Sequence, residues 1–568
     1  LIFAKVRSNS DRFNFDREWI WAVAIFLAAV FLFCFNLGNL PLRDWDEGTI
    51  AQVAREIWRS PPASLTWLYP TLGEQPYLNK PPLIHTLIGI SYSLFGISEW
   101  STRLPTAILA ATSLPLLYLV SRELFPDRLT AIFSTFVYLT LLPVARHSRL
   151  AMLDGALISF FLLFLLSILR LNRDRLAFVG ISIGLTLICL TKGIMMGLLL
   201  AAIAILFLGI DRPKLLTHRL FCLAVAMGIT PVLLWYLAQY LHYGEKFFSV
   251  NLVDQTFSRV WTTVEQQTGA PWYYLLEIVK YAFPWLIFAP PGFKLAWHER
   301  HSSWAKLVLV WSSIYLLAIS VMTTKLPWYV LPLYPAFAIA IGNYLDRVWS
   351  KFKRGQGTGN GEQRGREAER QRSREQIQSL SKNETSVLLV DNYDLRLILL
   401  ILLSIIGGIA SIYFGFFSSS SELDLQLISV AITITMISSS ICLNKRNPYF
   451  IVAFVVGLYL ALLLFFNSNN WVWELAESYP VKPVAEIIKQ NTLPGQVIYT
   501  SYAYNRPSLD FYSDRQVIAI PKEEIKKFWL KEKYIYLLIE SNLSQELNLN
   551  NIKIIDKIEE WHLITKNN

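Results

Sequence analysis

The sequence predicts an α-helical polytopic membrane protein with about thirteen transmembrane helices and a small C-terminal soluble α/β domain. Three observations carry this. Of 568 residues, 54% are hydrophobic and 17% are charged, against roughly 25% charged in an ordinary soluble domain. The hydrophobic residues fall into repeated long runs. From about residue 468 the pattern changes to short strand-like and helical stretches. This composition excludes a disordered chain and argues against a single soluble domain. The net charge of +10 is not a sign of nucleic-acid binding, because surplus Lys and Arg in membrane proteins mark cytoplasmic loops.

A helix needs roughly 20 apolar residues to cross a bilayer. The candidate spans are 19–37, 104–121, 129–143, 154–169, 176–190, 193–210, 220–241, 272–291, 304–321, 328–346, 395–417, 423–443 and 448–467. A further apolar stretch, 83–97, is short and bracketed by Pro81-Pro82 and Gly96. With Lys5, Arg7, Arg12 and Arg17 inside and 83–97 not spanning, the inner loops collect Arg122/Arg128, Arg170/Arg173/Arg175, Arg212/Lys214/Arg219, Lys294/Arg300/Lys306, Lys445/Arg446 and the basic segment 347–384. The opposite short loops keep only Arg146, Arg149, Lys192, Lys246, Arg259 and Lys325. Making 83–97 a span would reverse every later loop and put the basic ones outside, against the positive-inside rule. The stretch is therefore placed at the outer face.

The chain divides accordingly into a membrane core, 1–346, with an outer loop at 38–103; a basic cytoplasmic linker, 347–394; three more helices, 395–467; and an extracytoplasmic domain, 468–568. In the outer loop, Ile50, Val53, Ala54, Ile57 and Trp58 recur at helical spacing with Arg55 and Arg59 opposite. That pattern fits an amphipathic helix in the membrane interface or an ordinary packed surface helix. The linker is rich in Gly, Arg, Gln and Ser without apolar periodicity, as in a solvated segment. The tail alternates helical runs (481–490, 522–529) with strand-like runs (496–502, 516–520, 533–539, 552–558), and carries 12 Lys/Arg against 13 Asp/Glu. It offers no basic surface. Cys34, Cys189, Cys222 and Cys442 all lie in apolar runs, so no disulfide framework is expected.

Ionisable groups near span ends are costly and point to function. The outer face collects Asp44, Asp46, Glu47, Lys80, Arg146, Arg149, Asp154, Lys192, Lys325 and Tyr329. Each has a plain alternative. Asp46-Glu47 would take a proton from an attacking group, or favour the start of a helix as an acidic pair. Lys80, before Pro81-Pro82, would hold a phosphate as a point charge, or snorkel. Asp154 would act in a site, or pair structurally with Arg146 or Arg149. Tyr329 would need no function at an interface. Acids and lysines gathered on one face suit an anionic, lipid-linked substrate: cations for its phosphate, carboxylates for the acceptor.

The same residues carry a family resemblance. DEGTIAQVARE at 46–56, PYLNKPPL around Lys80, GISEWSTRLP at 96–105, SRLAMLDGAL around Asp154, LTKG around Lys192, GAPWYY at 269–274 and KLPWYVLPLYP from Lys325 follow one another in order. In these the chain resembles membrane glycosyltransferases of the GT-C architecture, in the branch of protein O-mannosyltransferases and lipid A aminoarabinose transferases. The resemblance implies inverting transfer of a sugar from a polyprenyl-phosphate donor to a lipid, glycan or protein acceptor at the outer face of a bacterial inner membrane. The N-terminus would be cytoplasmic and the tail extracytoplasmic. It implies Asp46 as catalytic carboxylate, Glu47 as its neighbour and Asp154 as the second acid. Lys80, Lys325 and Tyr329, with Lys192 and Arg149, would contact the donor phosphate.

No cofactor is required by this reading. The family's Glu-His and Arg-Phe before the Pro-Trp-Tyr motif are replaced by FFSVNLVDQTFSRVW, with Asn251 and only His242 nearby, so no metal is assigned. The partners expected are donor, acceptor and bilayer, without nucleic acid. A flippase for a lipid-linked sugar would use the same charges without chemistry. A tail acting as a binding module, anchored by the membrane core, is a third reading.

Overall fold

The computed structural model describes residues 15–258, 268–356, 393–418, 422–472, 481–502, 505–531, 535–547 and 549–567. Lys5, Arg7, Arg12, Arg259 and linker residues 357–392 lie outside the described residues. The chain forms two compact units. A helical unit takes residues 1–35, 107–148 and 154–471; a second unit takes 36–106, 149–153 and 472–568.

Among the described residues, eight helices are long and apolar enough to cross a membrane: Glu99–Leu124, Leu153–Arg170, Ile194–Asp211, Arg219–Tyr243, Ser303–Val321, Asp394–Phe417, Leu423–Asn444 and Phe450–Asn467. A helix satisfies its own backbone, which is what hydrocarbon demands. The protein is thus an α-helical multi-pass membrane protein with a small sheet domain. The predicted segment 272–291 is a correction: it is not one helix but Tyr273–Tyr281, a 3-10 turn at Trp285–Phe288, and Ala289–His298. Pro284, Pro290 and Pro291 lack the amide donors a continuous helix needs. The segment 328–346 likewise opens as the 3-10 stretch Pro327–Leu333 before Tyr334–Gln356. In 129–143, the helix Arg128–Thr140 stops ahead of Pro143, and Leu142–His147 forms a separate turn.

Small residues let helices in the helical unit approach closely. Tyr334–Gln356 packs on Arg128–Thr140, and a Cβ on Gly342 would collide with the Ser134 backbone nitrogen. The Thr130 hydroxyl donates to Asp346 across the same seam. Three donors from two other helices converge on buried Glu18: Tyr118, Arg122 and Arg128. Two of the expected inner-loop cations thus share one carboxylate.

In the second unit, the helix Asp46–Arg59 buries Ile50, Ala51, Val53 and Ala54 against the helix Leu83–Phe95. It is a packed helix. Trp58 is exposed, while Arg55, expected on the polar side, is buried. Leu83–Phe95 has 13 residues, about 20 Å at 1.5 Å per residue, too short for a ~30 Å hydrocarbon core.

The tail builds a five-stranded sheet from β1 (Val497–Thr500), β2 (Gln516–Ala519), β3 (Tyr536–Glu540), β4 (Ile552–Ile558) and β5 (Trp561–Lys566), in the order β2-β1-β3-β5-β4. The first three strands are parallel, and β5 pairs antiparallel with both β3 and β4. Helices Val481–Asn491 and Lys522–Lys531 match the predicted runs. β5 and the short helix Pro507–Ser513 were not predicted. The β4–β5 turn uses Glu559 at φ 50° in place of the Gly or Asn that usually announces such a turn.

Candidate active site

In the helical unit, the structure brings Asp154, Lys192 and Tyr329 together. Asp154 lies in the first turn of Leu153–Arg170 and Lys192 in the last turn of Ala177–Lys192, so each charge suits its helix end. The Lys192 ammonium is ion-paired with Asp154 and lies 5.5 Å from the centroid of the Tyr329 ring. Asp154 is 3% exposed. Its pairing with Lys192 differs from the expected pairing with Arg146 or Arg149; the Arg146 Nε donates to the Trp471 carbonyl at 2.7 Å. Gly193, at φ 94°, makes the sharp turn after Lys192 that an L side chain would strain.

That turn is tied to the loop where the sequence departs from the family pattern. The Ile194 amide donates to the Tyr236 hydroxyl at 3.2 Å, and that hydroxyl donates to Asn251 Oδ1 at 3.2 Å. Asn251 is buried. Sequence reasoning noted it only as a departure.

Lys325 is 2% exposed and donates to the carbonyls of Ile319, Ser320 and Met322. It thus caps the end of Ser303–Val321. Burial holds its pKa below the usual lysine value. Its ammonium stands 5.4 Å from the centroid of the buried Tyr274 ring, and the Tyr274 hydroxyl accepts the Leu326 amide at 3.3 Å. A Cβ on Gly269 would fall 2.9 Å from Lys325 Cγ and 3.1 Å from the Tyr273 ring. The GAPWYY and KLPWY motifs are therefore one packed assembly, with glycine required at its tightest point.

In the second unit, Asp46 opens the helix Asp46–Arg59 and pairs with Arg43 at 3.4 Å; the Asp46 side chain is 24% exposed. Glu47 is fully buried. It accepts Arg103 Nε and Nη2 at 2.8 and 2.7 Å, the Ala151 amide at 2.7 Å and the Arg43 amide at 3.1 Å. Desolvation would raise the Glu47 pKa, but the Arg103 charge and these bonds overcome it and hold the group below the usual range. Arg103 also donates to the carbonyls of Leu37, Leu40 and Pro41. One buried arginine thus fixes the segment leading to Asp46. Arg149 is buried, with Nη2 donating to the Asn36 carbonyl at 3.2 Å. Lys80 is half-buried in the segment entering Leu83–Phe95.

Arg103 was missed although it lies inside a quoted stretch, GISEWSTRLP. Its significance rests on a carboxylate 56 positions away, and no local pattern reports that. The signal for Tyr274 was equally weak, since an aromatic residue near a span end needs no function.

Comparison with known proteins meets the resemblance. The family model described as dolichyl-phosphate-mannose-protein mannosyltransferase matches residues 79–236. A Pseudomonas fluorescens protein named undecaprenyl phosphate-alpha-4-amino-4-deoxy-L-arabinose arabinosyl transferase 1 is 28% identical over 342 residues, 58% of this chain and 60% of the relative. A Pectobacterium carotovorum transferase of the same name, without the number, is 28% identical over 318 residues, 53% of this chain and 54% of the relative. The matches thus span little more than half the length of these relatives. The crystal structure of ArnT from Cupriavidus metallidurans bound to undecaprenyl phosphate superposes with a TM-score of 0.75, covering 96% of this chain and 98% of that one at 17% identity. The chain has that fold.

Proposed function

We propose that this protein is an inverting glycosyltransferase that moves a sugar from a polyprenyl phosphate to an acceptor at the outer face of a bacterial inner membrane. The observation that carries this reading is the pair of buried Asp154 and half-buried Lys192 against Tyr329. Three motifs far apart in the chain meet there in a charge arrangement that hydrocarbon disfavours. A buried ion pair contributes little net stability over apolar packing. An anionic substrate gives it a purpose.

In the reaction, an acceptor oxygen or nitrogen bonds to the anomeric carbon on the face opposite the phosphate. The bond from that carbon to the phosphate oxygen breaks with its electron pair, and polyprenyl phosphate leaves. Asp46, the partly exposed member of the acidic pair, takes the acceptor's proton. Lys192 and Lys80 meet the charge on the phosphate, with Arg149 and Tyr329 as further contacts. Lys325 would join them by exchanging one of its carbonyl partners for a phosphate oxygen. Glu47, with its acceptor positions filled, orients the Asp46 segment. The scheme uses no cofactor or metal. The relatives' names make an undecaprenyl-phosphate-linked amino-pentose the first donor to try. The acceptor is a lipid, glycan or protein.

The test offers purified protein in nanodiscs a labelled undecaprenyl-phosphate aminopentose with envelope lipids, glycans and proteins as acceptors. Label moving to an acceptor, with inverted anomeric configuration, is the expected result. Label that crosses the bilayer but stays on its carrier would make the protein a flippase and defeat the reading.

A further inference from the structure

The segment carrying Asp46 is held on both sides by the C-terminal domain, through contacts that all lie within the second unit. Ahead of Asp46, the Leu42 amide donates to the Tyr512 hydroxyl at 2.8 Å, and that hydroxyl donates to Glu99 at 3.0 Å. Asp44 is buried. One of its oxygens accepts the Ser508 hydroxyl, and the other faces the Arg506 guanidinium at 3.3 Å. Arg43, which pairs with Asp46, lies between these two pinned residues. After Asp46, a Cβ on Gly48 would lie 2.7 Å from the Ser508 nitrogen and 2.9 Å from its Cα. The backbones therefore touch in a way that only glycine permits. Further along, Arg55 donates to the carbonyls of Phe511 and Asp510 at 2.7 and 3.0 Å. A short tail segment, 506–512, thus engages positions 42, 44, 48 and 55.

We infer that the C-terminal domain positions the catalytic carboxylate: the Arg506–Ser508–Asp44 contact and the Tyr512–Leu42 bond set where Asp46 and its Arg43 partner stand. This rests on the reading of Asp46 as general base. It makes Asp44, Arg506, Ser508 and Tyr512 positioning residues for transfer. A tail serving only to bind a partner would need none of these contacts. Carboxylate chemistry is sensitive to such placement, because a displacement of about 1 Å can cost on the order of 100-fold in rate.

The test compares purified full-length Ser508→Ala, Asp44→Asn and Tyr512→Phe with the wild type in single-turnover transfer from bound donor. Each should slow transfer by on the order of tenfold or more per folded molecule while donor affinity stays within about twofold. Ser508→Thr, which keeps the hydroxyl, should recover most of the rate. Tyr512→Phe removes a single hydroxyl, so it keeps the test informative if Asp44→Asn fails to fold. Wild-type rates in both Ser508→Ala and Tyr512→Phe would overturn the inference. If Asp46→Asn is inactive while those variants are normal, only this inference fails. If Asp46→Asn itself transfers normally, the mechanism beneath it fails first.

Discussion

Glu47 is sealed from solvent and accepts four hydrogen bonds, while the neighbouring Asp46 side chain keeps about a quarter of its surface exposed. Their substitutions should therefore separate folding from chemistry. Glu47→Gln leaves Arg103 buried without its counter-charge, which costs roughly 3–5 kcal/mol when one partner of such a pair is removed. A large fall in melting temperature in detergent is the expected outcome; an unchanged value would show that Arg103 does not depend on it. Lys325→Met should also lower thermal stability, since it frees the carbonyls of Ile319, Ser320 and Met322. If it lowers donor affinity as well, the lysine serves both roles; stability loss alone would leave it a cap. Asp46, Asp154 and Lys192 are legible in the sequence because each is a charge in an apolar or motif setting. Arg103, Asn251 and Ser508 are not, because the partner that gives each its meaning is distant in the chain or chemically ordinary.

At the scale of elements, sequence periodicity located helices and strands well and failed where proline or turn chemistry intervened. The broken 272–291 segment follows from Pro284 and Pro290-Pro291, which an apolar count passes over. The helix Pro507–Ser513 escaped notice because it is too short to show a period, yet it is the element that meets the Asp46 segment. Its buried carboxyl, Asp510, has its pKa pushed up by burial to about 7, although the Val517 amide donates to it at 2.9 Å. The native state therefore holds this proton more tightly than the unfolded chain, whose aspartate titrates near 4. The stability that this preference contributes is complete below about pH 4 and lost as pH rises through about 7. Melting temperature should fall across that window, and Asp510→Asn should flatten the slope. A slope equal to the wild type's in Asp510→Asn would place its source elsewhere.

Across the whole molecule, we propose that the excess of positive charge is an orientation signal. The segment 347–384 alone holds ten Lys/Arg against five Asp/Glu, and the nearly neutral tail holds none of the surplus. Single cysteines in a cysteine-free background test the orientation. One in the linker at position 358 should react with an impermeant maleimide only after the membrane is opened, and one in the tail at position 493 should react in intact spheroplasts. The reverse pattern would turn the protein over and put Asp46 on the wrong face for the proposed donor. The helical membrane architecture was readable from hydropathy because lipid imposes helices. The pairing of Lys192 with Asp154 was not, since it joins residues 38 positions apart, at the end of one helix and the start of another. The account stands on Asp46 as the base, and the direct measurement is sugar transfer by purified Asp46→Asn beside its donor affinity. It predicts a rate lower by on the order of 10²–10⁴-fold with donor affinity close to wild type. Transfer by Asp46→Asn at the wild-type rate would contradict it.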